Sequence, residues 1–536
     1  MNQTRRFNIA GTCNPSRHYM LPVIPRLPGV GAMIEDESYF ILHGPRQSGK
    51  TTFIKTLANN INSEGRYYAL FCSLQTLRGV GDKTEAMDAI ASLINKYLKG
   101  SSLSALNELA FPDDSIPQSG FAVKIVNLLN YLCVNLDKDL VVFFDEADCL
   151  SGPPLISFLA QIRDGYNDRF DSPRTKFPRS LALVGMRNIR DYLASNHPKA
   201  ERERLASPFN IVTERMTLAN FTQDEIGCLY RQHTDATGQP IMASAIERAW
   251  HWTGGQPWLV NSLANEIVVK QLGRDYSRNI AGSNVDQAAQ SLITSNDAHF
   301  DSLRTRLDEP KVRRVMEPIV VSAESLPLGL SDDDISYVFD LGLLKKDMKN
   351  DSIFLPANPI YEEVIARTLS RGIQQSLPTS LSQKWMDERS IDMSGLLKAF
   401  QIYWKETAEL LKDKTGEEAN DNAFKTNENL VILVLYAFLQ RVINGGAEIK
   451  REYALGRLRV DICVTYKGHH YPLEVKIKGH KSEEDNIEQL LGYMDRCGSS
   501  VGWLVVCDKN LNKIWRDKLS FETNILNGQT IHIISC

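Results

Sequence analysis

The chain has 536 residues, of which 43% are apolar and 24% charged, and its net charge is −4. This composition is typical of a soluble globular protein of roughly two to four domains, and the charge excludes a surface that is basic throughout. The longest apolar run, residues 430–439, is far shorter than the roughly 20 residues that span a bilayer. The nine cysteines include no C-x-x-C pair, so we expect reduced thiols and a cytoplasmic protein without a membrane partner.

A phosphate-binding loop follows the first predicted strand. Residues 39–42 predict a strand, residues 51–59 predict a helix, and the loop between them matches the pattern G-x-x-x-x-G-K-S/T. Glycines let backbone N–H groups point at phosphate oxygens, and the helix N-terminus favours an anion. Lys50 would contact the terminal phosphates of a nucleotide, and the Thr51 hydroxyl would bind Mg²⁺. The residues predicted to contact the nucleotide here are Gly44, Pro45, Arg46, Gln47, Ser48, Gly49, Lys50, Thr51 and Thr52.

Carboxylates end a second predicted strand. Residues 140–144 are apolar without interruption, as in a parallel strand that is buried on both faces, and Asp145 and Glu146 follow them. At the end of such a strand, Asp145 would hold Mg²⁺ through water, and Glu146 would polarise the water that attacks the phosphate. A buried strand that merely ends in an acidic turn is the alternative, and the complete phosphate loop upstream makes it the weaker one.

A third predicted strand, residues 180–185, completes the signals of an α/β core. Arg187 and Asn188 follow it, and either could contact the terminal phosphate, with Arg187 as the catalytic candidate. An ordinary charged surface loop explains these two residues equally well. Because strands alternate with helical segments, we predict an α/β fold whose parallel sheet binds its ligand at the carboxyl ends of the strands.

A further motif, Thr-Gly-Gly-Gln-Pro, occupies residues 253–257 between two predicted helices. Its glycines would end one helix, and Pro257 would begin the next. The phosphate loop, the Asp145–Glu146 pair and the end of the third strand resemble the AAA-like and STAND-like branch of the P-loop ATPases. In that branch a Gly-x-Pro motif opens a lid helix near the base and the phosphates, which implies that Gln256 and Pro257 contact ATP. A plain corner between two helices fits the same residues.

The resemblance extends to the region upstream of the loop. Residues 7–20 resemble the N-terminal segment of a bacterial family of these ATPases, and His18 and Tyr19 would stack on the adenine. Packing against the core also explains an aromatic pair at this place. Assembly into a homo-oligomer on binding ATP is implied too, and an arginine that reaches the phosphates of a neighbouring copy has three alternatives, Arg202, Arg204 and Arg215.

The same resemblance implies the order of the domains. The lid region has apolar residues at spacings of three and four, which favours helices. The next region reads as helices, a short hairpin and a final helix, which resembles a winged-helix unit, although three acidic residues at 332–334 oppose contact with phosphates. The predicted parts are an ATPase core at 1–218, a helical lid at 219–300, a winged-helix-like unit at 301–370, a linker rich in Ser and Gln at 371–395, and a C-terminal module at 396–536.

The first candidate catalytic residues of the C-terminal module lie on a predicted hairpin. Two alternating strands meet at Lys467-Gly468, which would bring Asp461 close to Glu474, and Glu474 and Lys476 point to the same face. Two carboxylates bind a hard cation such as Mg²⁺ through oxygen, and Lys476 would orient water or neutralise a phosphate. This set predicts phosphodiester cleavage. A charged strand face in contact with solvent is the alternative.

These residues resemble the PD-(D/E)-x-K nuclease superfamily, with Val460 in the place of the proline. The resemblance implies a restriction-endonuclease-like α/β domain and a helix that carries Gln489, as a catalytic residue, and Tyr493 on one face. The acidic metal ligand that the superfamily has on its first helix is not obvious here. Glu428 is the nearest candidate, and the number of metal ions stays open.

Together these features predict a regulatory protein that binds and hydrolyses ATP and whose nucleotide state controls a Mg²⁺-dependent deoxyribonuclease at its C-terminus. The pairing of such domains suggests a role in defence against foreign DNA. The first alternative is a STAND-like ATP switch with a catalytically silent tail that binds DNA or protein. The second is a motor-like ATPase that remodels DNA or protein and docks through the tail. A second copy of the chain or another protein would be the partner in each case.

Overall fold

A computed structural model of the chain describes residues 5–22, 24–112, 119–172, 174–185, 211–295, 298–321, 332–347, 353–375, 385–387, 389–413, 428–443, 447–455, 458–478, 482–508, 513–526 and 528–536. Contacts divide the chain into two compact units, which are Met1–Asp297 with Leu328–Tyr361, and Ala298–Pro327 with Glu362–Cys536. Within the described ranges, no helix combines the length and the apolar character needed to cross a membrane.

The strands, numbered in chain order, are β1 (Tyr39–His43), β2 (Tyr68–Ser73), β3 (Leu140–Asp145), β4 (Ser180–Gly185), β5 (Val212–Thr217), β6 (Leu344–Lys346), β7 (Phe354–Pro356), β8 (Glu448–Leu455), β9 (Leu458–Tyr466), β10 (His469–Ile477), β11 (Val501–Cys507), β12 (Ser520–Leu526) and β13 (Gln529–Ser535). The helices are α1 (Gly29–Glu35), α2 (Lys50–Glu64), α3 (Lys83–Lys99), α4 (Ser104–Asn107), α5 (Lys124–Asn135), α6 (Gly152–Asp168), α7 (Gln223–Thr237), α8 (Ala243–Thr253), α9 (Pro257–Asn265), α10 (Gly282–Thr294), α11 (Ala298–Leu307), α12 (Pro310–Val321), α13 (Asp332–Asp340), α14 (Pro359–Gln375), α15 (Met393–Asp413), α16 (Glu428–Ile443), α17 (Glu483–Cys497) and α18 (Trp515–Lys518).

The first unit contains a five-stranded sheet in the order β2-β3-β4-β1-β5. All neighbouring pairs are parallel, which confirms the predicted α/β core. Strand β4 lies between β1, which leads into the phosphate loop, and β3, which ends in Asp145. The carboxyl ends of these three strands therefore meet at one edge, where a ligand binds in open parallel sheets.

Apolar side chains cover both faces of this sheet. Side chains alternate along a strand, so Val142 and Phe144 of β3 lie in one buried cluster while Val141 and Phe143 lie in the other. Helices α3, α5 and α6 contribute to the first cluster, and α1 and α2 to the second. An uninterrupted apolar strand is what a sheet buried on both faces requires.

The helical part of the first unit includes the predicted lid. Helix α7 begins with a capping box in which the Thr222 side chain accepts from the Glu225 N–H. At the corner before α9, Gly255 has a φ of +74°, and a Cβ there would lie 1.8 Å from the Phe221 carbonyl oxygen. Only glycine fits at this position, because the backbone conformation and the close approach both exclude a side chain.

The second unit contains a mixed six-stranded sheet in the order β12-β13-β11-β10-β9-β8. Strands β9 and β10 form the predicted antiparallel hairpin, with Leu473 opposite Ile462, and β10, β11 and β13 are parallel. Helix α17 connects β10 with β11 and packs through Leu490 and Met494 on an apolar cluster of the sheet. Because the two strands are parallel, α17 runs back along the sheet, antiparallel to β10.

The compact units do not coincide with the predicted domain boundaries, which stay predictions. Contacts place α11 and α12 in the second unit, but α13 and the hairpin β6–β7 in the first, so the winged-helix-like region 301–370 is divided. Part of the predicted linker packs on the hairpin of the C-terminal module. The Ile391 N–H donates to the Tyr471 hydroxyl at 3.0 Å, and the Tyr466 hydroxyl donates to the Asp387 carbonyl at 2.9 Å.

Candidate functional site

The phosphate loop joins β1 to α2 with a backbone that favours glycine. Gly49, the residue before α2, has a φ of +96° and lies in the left-handed region, which residues with a side chain rarely adopt. This conformation starts α2 at Lys50, so the N–H groups of its first turn have no partners within the helix. The loop is thereby prepared for an anion.

Lys50 is held by the loop itself. Its Nζ donates to the carbonyl oxygens of Gly44 and Pro45, each at 2.7 Å. Burial lowers the pKa of Lys50 to about 8, while the nearby carboxylates of Asp148, Glu146 and Asp145 act in the opposite direction. A phosphate group would favour the charged ammonium.

Thr51 and Asp145 form the pair predicted to hold Mg²⁺. The Thr51 hydroxyl donates to Asp145 Oδ2 at 2.7 Å, across the sheet edge between two elements that are distant in sequence. Asp145 is 3% exposed, and burial raises its pKa. The Ser48 hydroxyl of the loop is also buried and has no partner in the described part of the chain. The Thr51 hydroxyl and the Asp145 carboxylate are suitable ligands for Mg²⁺, and the Ser48 hydroxyl is a suitable donor to a phosphate oxygen.

Glu146 lies in the left-handed region, with a φ of +57°, directly after β3. Burial raises its pKa, and the Asp148 and Asp145 carboxylates raise it further. Glu146 Oε2 lies 3.6 Å from the guanidinium of Arg78. The raised pKa and the strained backbone are both typical of a residue that acts in catalysis.

Two neighbours of this site were not predicted as functional residues. Arg78 carries no local signal, because it follows β2 and reaches Glu146 only in the folded chain. Asp148 is the last acid of the Asp-Glu-Ala-Asp run, and a Cβ at Gly185 would lie 2.9 Å from its Oδ1. The position of Asp148 within that acidic run was the sequence signal that could have identified it as a residue of the site.

The motif at residues 253–257 lies against the phosphate loop. Gln256 Nε2 is 3.5 Å from the Gln47 carbonyl oxygen, while Gln256 Oε1 accepts from the Leu259 N–H at 2.6 Å and caps α9. Pro257 is the first residue of α9. Gly342, which follows α13, also lies at the loop, because a Cβ there would lie 2.2 Å from Pro45 Cγ.

His18 and Tyr19 do not lie as base-stacking residues would. Tyr19 is 1% exposed, its ring meets Phe7 edge-on at 5.0 Å, and its hydroxyl lies 3.2 Å from His233 Nδ1. Burial raises the pKa of Tyr19 to about 12. His18 is 8% exposed, and its Nδ1 accepts from the Asn14 N–H at 3.0 Å. Packing, the alternative for this pair, explains both side chains, and the stacking prediction is corrected accordingly.

Several predicted residues lie outside the described ranges. These are Arg187, Asn188, Arg202 and Arg204. Arg215 lies in β5 and Glu428 begins α16, but their side chains are not described. The contact of Arg187 with phosphate, the three alternatives for an arginine finger and the metal-binding role of Glu428 stay predictions.

A second group of polar side chains lies on the hairpin of the second unit. Lys476 Nζ is 2.9 Å from Glu474 Oε1 and 3.7 Å from Asp461 Oδ2, and the Val475 N–H donates to Asp461 Oδ2 at 2.7 Å. Glu474 is 1% exposed and Lys476 is 8% exposed. The alternative of a solvent-facing strand is therefore wrong for these two residues.

Helix α17 completes this group. Gln489 Nε2 donates to Glu474 Oε1 at 2.7 Å and to the Tyr493 hydroxyl at 3.0 Å, so the predicted face of the helix does meet the hairpin. Burial raises the pKa of Glu474 to about 8, with Asp461 as the second cause, and Lys476 opposes the shift. Glu474 Oε2 is buried without a partner among the described residues.

The donor set of this group fits a hard divalent cation. Asp461 and Glu474 supply carboxylate oxygens, and Glu474 Oε2 is a buried acceptor that has no hydrogen-bond donor among the described residues. Across the described ranges, no group of three or more His, Cys, Asp and Glu side chains is placed to hold a metal. Among the described side chains, Asp461 and Glu474 are therefore the two candidate carboxylate ligands of this group.

No family model and no curated protein match this chain. Among solved structures, a Walker-type ATPase of Pyrococcus abyssi is 14% identical with a TM-score of 0.47, and the match covers 67% of this chain and 99% of that one. The ORC2 protein of Aeropyrum pernix is 12% identical with a TM-score of 0.41, covering 68% and 96%. The RuvB branch migration motor of Thermotoga maritima is 16% identical with a TM-score of 0.32, covering 63% and 92%.

Proposed function

We propose that this chain is an ATPase that carries a Mg²⁺-dependent DNA nuclease site on its second unit, and that its nucleotide state controls cleavage. The observation that carries the nuclease assignment is the contact of buried Glu474 with buried Lys476 and half-buried Gln489, with Asp461 beside them. Burying charged side chains opposes folding unless they are well paired, so such a group is typical of a functional site.

In the ATPase site, the loop N–H groups and Lys50 would bind the phosphates, while Thr51 and Asp145 would hold Mg²⁺. Bound Mg²⁺ would neutralise negative charge on the phosphates. Glu146 would accept hydrogen bonds from the attacking water and orient it. The phosphates would replace the loop carbonyls as partners of Lys50.

Glu146→Gln is expected to bind ATP normally and to hydrolyse it about 10²- to 10⁴-fold more slowly, because the amide cannot accept a proton from water. Single-turnover hydrolysis and nucleotide binding measured on one preparation separate these two effects. The matched control is Glu85→Gln, which alters an exposed acid near the start of α3 and leaves turnover unchanged. Wild-type turnover by Glu146→Gln would refute the assigned role.

In the nuclease site, Gln489 fixes one oxygen of Glu474 and leaves the other free for a metal ion. Bound Mg²⁺ would supply activation of water and stabilisation of charge on the phosphate. Lys476, with its three N–H donors, would oppose the rise in the pKa of Glu474 and would donate to a phosphate oxygen. Asp461 is held in place by the Val475 N–H.

Wild-type protein is expected to cleave plasmid or linear DNA with Mg²⁺ or Mn²⁺, at a rate that differs between ATP, ADP and no nucleotide. EDTA should stop cleavage, because the carboxylates need a cation between them and the phosphate. Gel analysis of both DNA forms, with ATP hydrolysis followed in the same samples, tests this. Sustained ATP hydrolysis without cleavage under all conditions would favour the ATP switch with a silent tail.

The pairing of an ATPase with a DNA nuclease in one chain would suit a role in defence against foreign DNA, which we include in the proposal. Nucleotide control requires that ATP and ADP favour different conformations of the chain. The motor-like alternative predicts DNA-stimulated ATP hydrolysis without cleavage, which the same samples report.

A further inference from the structure

Two buried oxygen atoms, one on β10 and one on α17, have no hydrogen-bond partner among the described residues. Glu474 Oε2 belongs to a residue that is 1% exposed, and Asn486 Oδ1 belongs to a residue that is 6% exposed. Neither atom has a hydrogen-bond donor in the described part of the chain. Buried acceptors are nearly always paired in folded proteins, so each unpaired one requires an explanation.

Both residues lie on elements that pack together, Asn486 on α17 and Glu474 on the hairpin. Asn486 precedes Gln489 by three positions and Tyr493 by seven, which places the three side chains on one face of the helix. Gln489 on that face already contacts Glu474 at 2.7 Å. Asn486 is therefore directed at the sheet, as its burial requires.

The direction of α17 decides at which end of the site Asn486 lies. Asn486 lies about 4.5 Å along the helix axis from Gln489, at 1.5 Å per residue, and the helix runs antiparallel to β10. The step from Gln489 back to Asn486 therefore points the same way along the sheet as the step from Glu474 to Lys476. Glu474 and Lys476 lie about 6.6 Å apart along the strand. Asn486 is at the level of Lys476, at the end of the site toward the carboxyl end of β10.

We propose that Asn486 supplies a neutral oxygen to the divalent cation that Asp461 and Glu474 bind, and this inference rests on the proposed nuclease function. A cation explains both unpartnered oxygens together, because hard cations take carboxylate and side-chain amide oxygens in one coordination set.

The test is Mn²⁺ binding by the full-length protein without nucleotide, followed by the loss of the free Mn²⁺ EPR signal. Asn486→Leu is expected to bind Mn²⁺ at least about 10-fold more weakly than wild type, as is usual when groups that support a metal site are removed. Asn486→Asp, which keeps an oxygen, should bind at least as tightly as wild type. Glu488→Gln, on the exposed side of the same helix, is the matched control with unchanged affinity.

Thermal unfolding in EDTA supplies the second readout. Because the Asn486 oxygen has no hydrogen-bond donor among the described residues, the apolar Asn486→Leu should unfold in EDTA at the same temperature as wild type or higher. A structural role predicts the opposite, a lower unfolding temperature with unchanged Mn²⁺ affinity, and that result would overturn the inference while DNA cleavage by wild type continues. Failure of wild type both to bind Mn²⁺ and to cleave DNA would refute the nuclease proposal itself.

Discussion

Lys476→Ala is expected to lower the rate of DNA cleavage by about 10²- to 10³-fold, the effect of removing one well-placed electrostatic donor. Lys476 Nζ lies 2.9 Å from Glu474 and opposes the rise in the pKa of that carboxyl. Without the ammonium, burial and Asp461 raise the pKa of Glu474 further above about 8. The higher pKa weakens cation binding, since a metal ligand must be deprotonated.

The measurement is the initial rate of plasmid cleavage at saturating Mg²⁺, beside Lys467→Ala. Lys467 is exposed at the tip of the same hairpin, so this control loses an equal charge without touching the site. ATP hydrolysis in the same preparation checks that the first unit is folded. Cleavage by Lys476→Ala at the rate of the control would remove Lys476 from the mechanism.

Lys50→Ala is expected to weaken ATP binding by about 100-fold or more, because a hydrogen bond to a charged group contributes roughly 1.5–3 kcal/mol and several phosphate oxygens lose their cation. ATP hydrolysis should fall to background. The affinity of the wild type should also fall as the pH rises through about 8, where the unliganded Lys50 loses its proton. Binding above that pH then requires proton uptake.

Titration with a fluorescent ATP analogue at pH 7 and pH 9 measures both effects. Lys55→Ala is the matched control, since Lys55 is an exposed lysine of the same helix. A pH dependence that persists in Lys50→Ala would assign it to another group. If cleavage by Lys50→Ala still responds to ATP, the proposed nucleotide control is wrong.

The phosphate loop and the strands around it could be predicted because their physical requirements are local. Eight consecutive residues contain the glycines, the lysine and the hydroxyl, and the apolar run of β3 follows directly from burial on both faces. The predicted strands at 39–42 and 180–185 correspond to β1 and β4. Strand β2 and the order of the sheet came from the structure, because strand neighbours depend on contacts across the whole chain.

Tyr19 shows where local reasoning fails. An aromatic residue near a nucleotide loop fits a base-stacking role and a packing role equally in sequence. Phe7, which precedes Tyr19 in the chain, and His233, which follows it by 214 positions, pack against Tyr19 and bury it. Arg78 was missed for the same reason, since its ion pair with Glu146 joins the ends of different strands.

Residue types at short spacings were enough to predict the α/β core, the phosphate loop and the grouping of Asp461 with Glu474 and Lys476. The raised pKa of Glu474 and the contact of α17 with it depend on packing between distant parts of the chain. Burial in a low-dielectric interior, not spacing, raises the pKa of that carboxyl. Burial is a property of the whole fold, and it turns a charged hairpin that could have faced water into a candidate catalytic site.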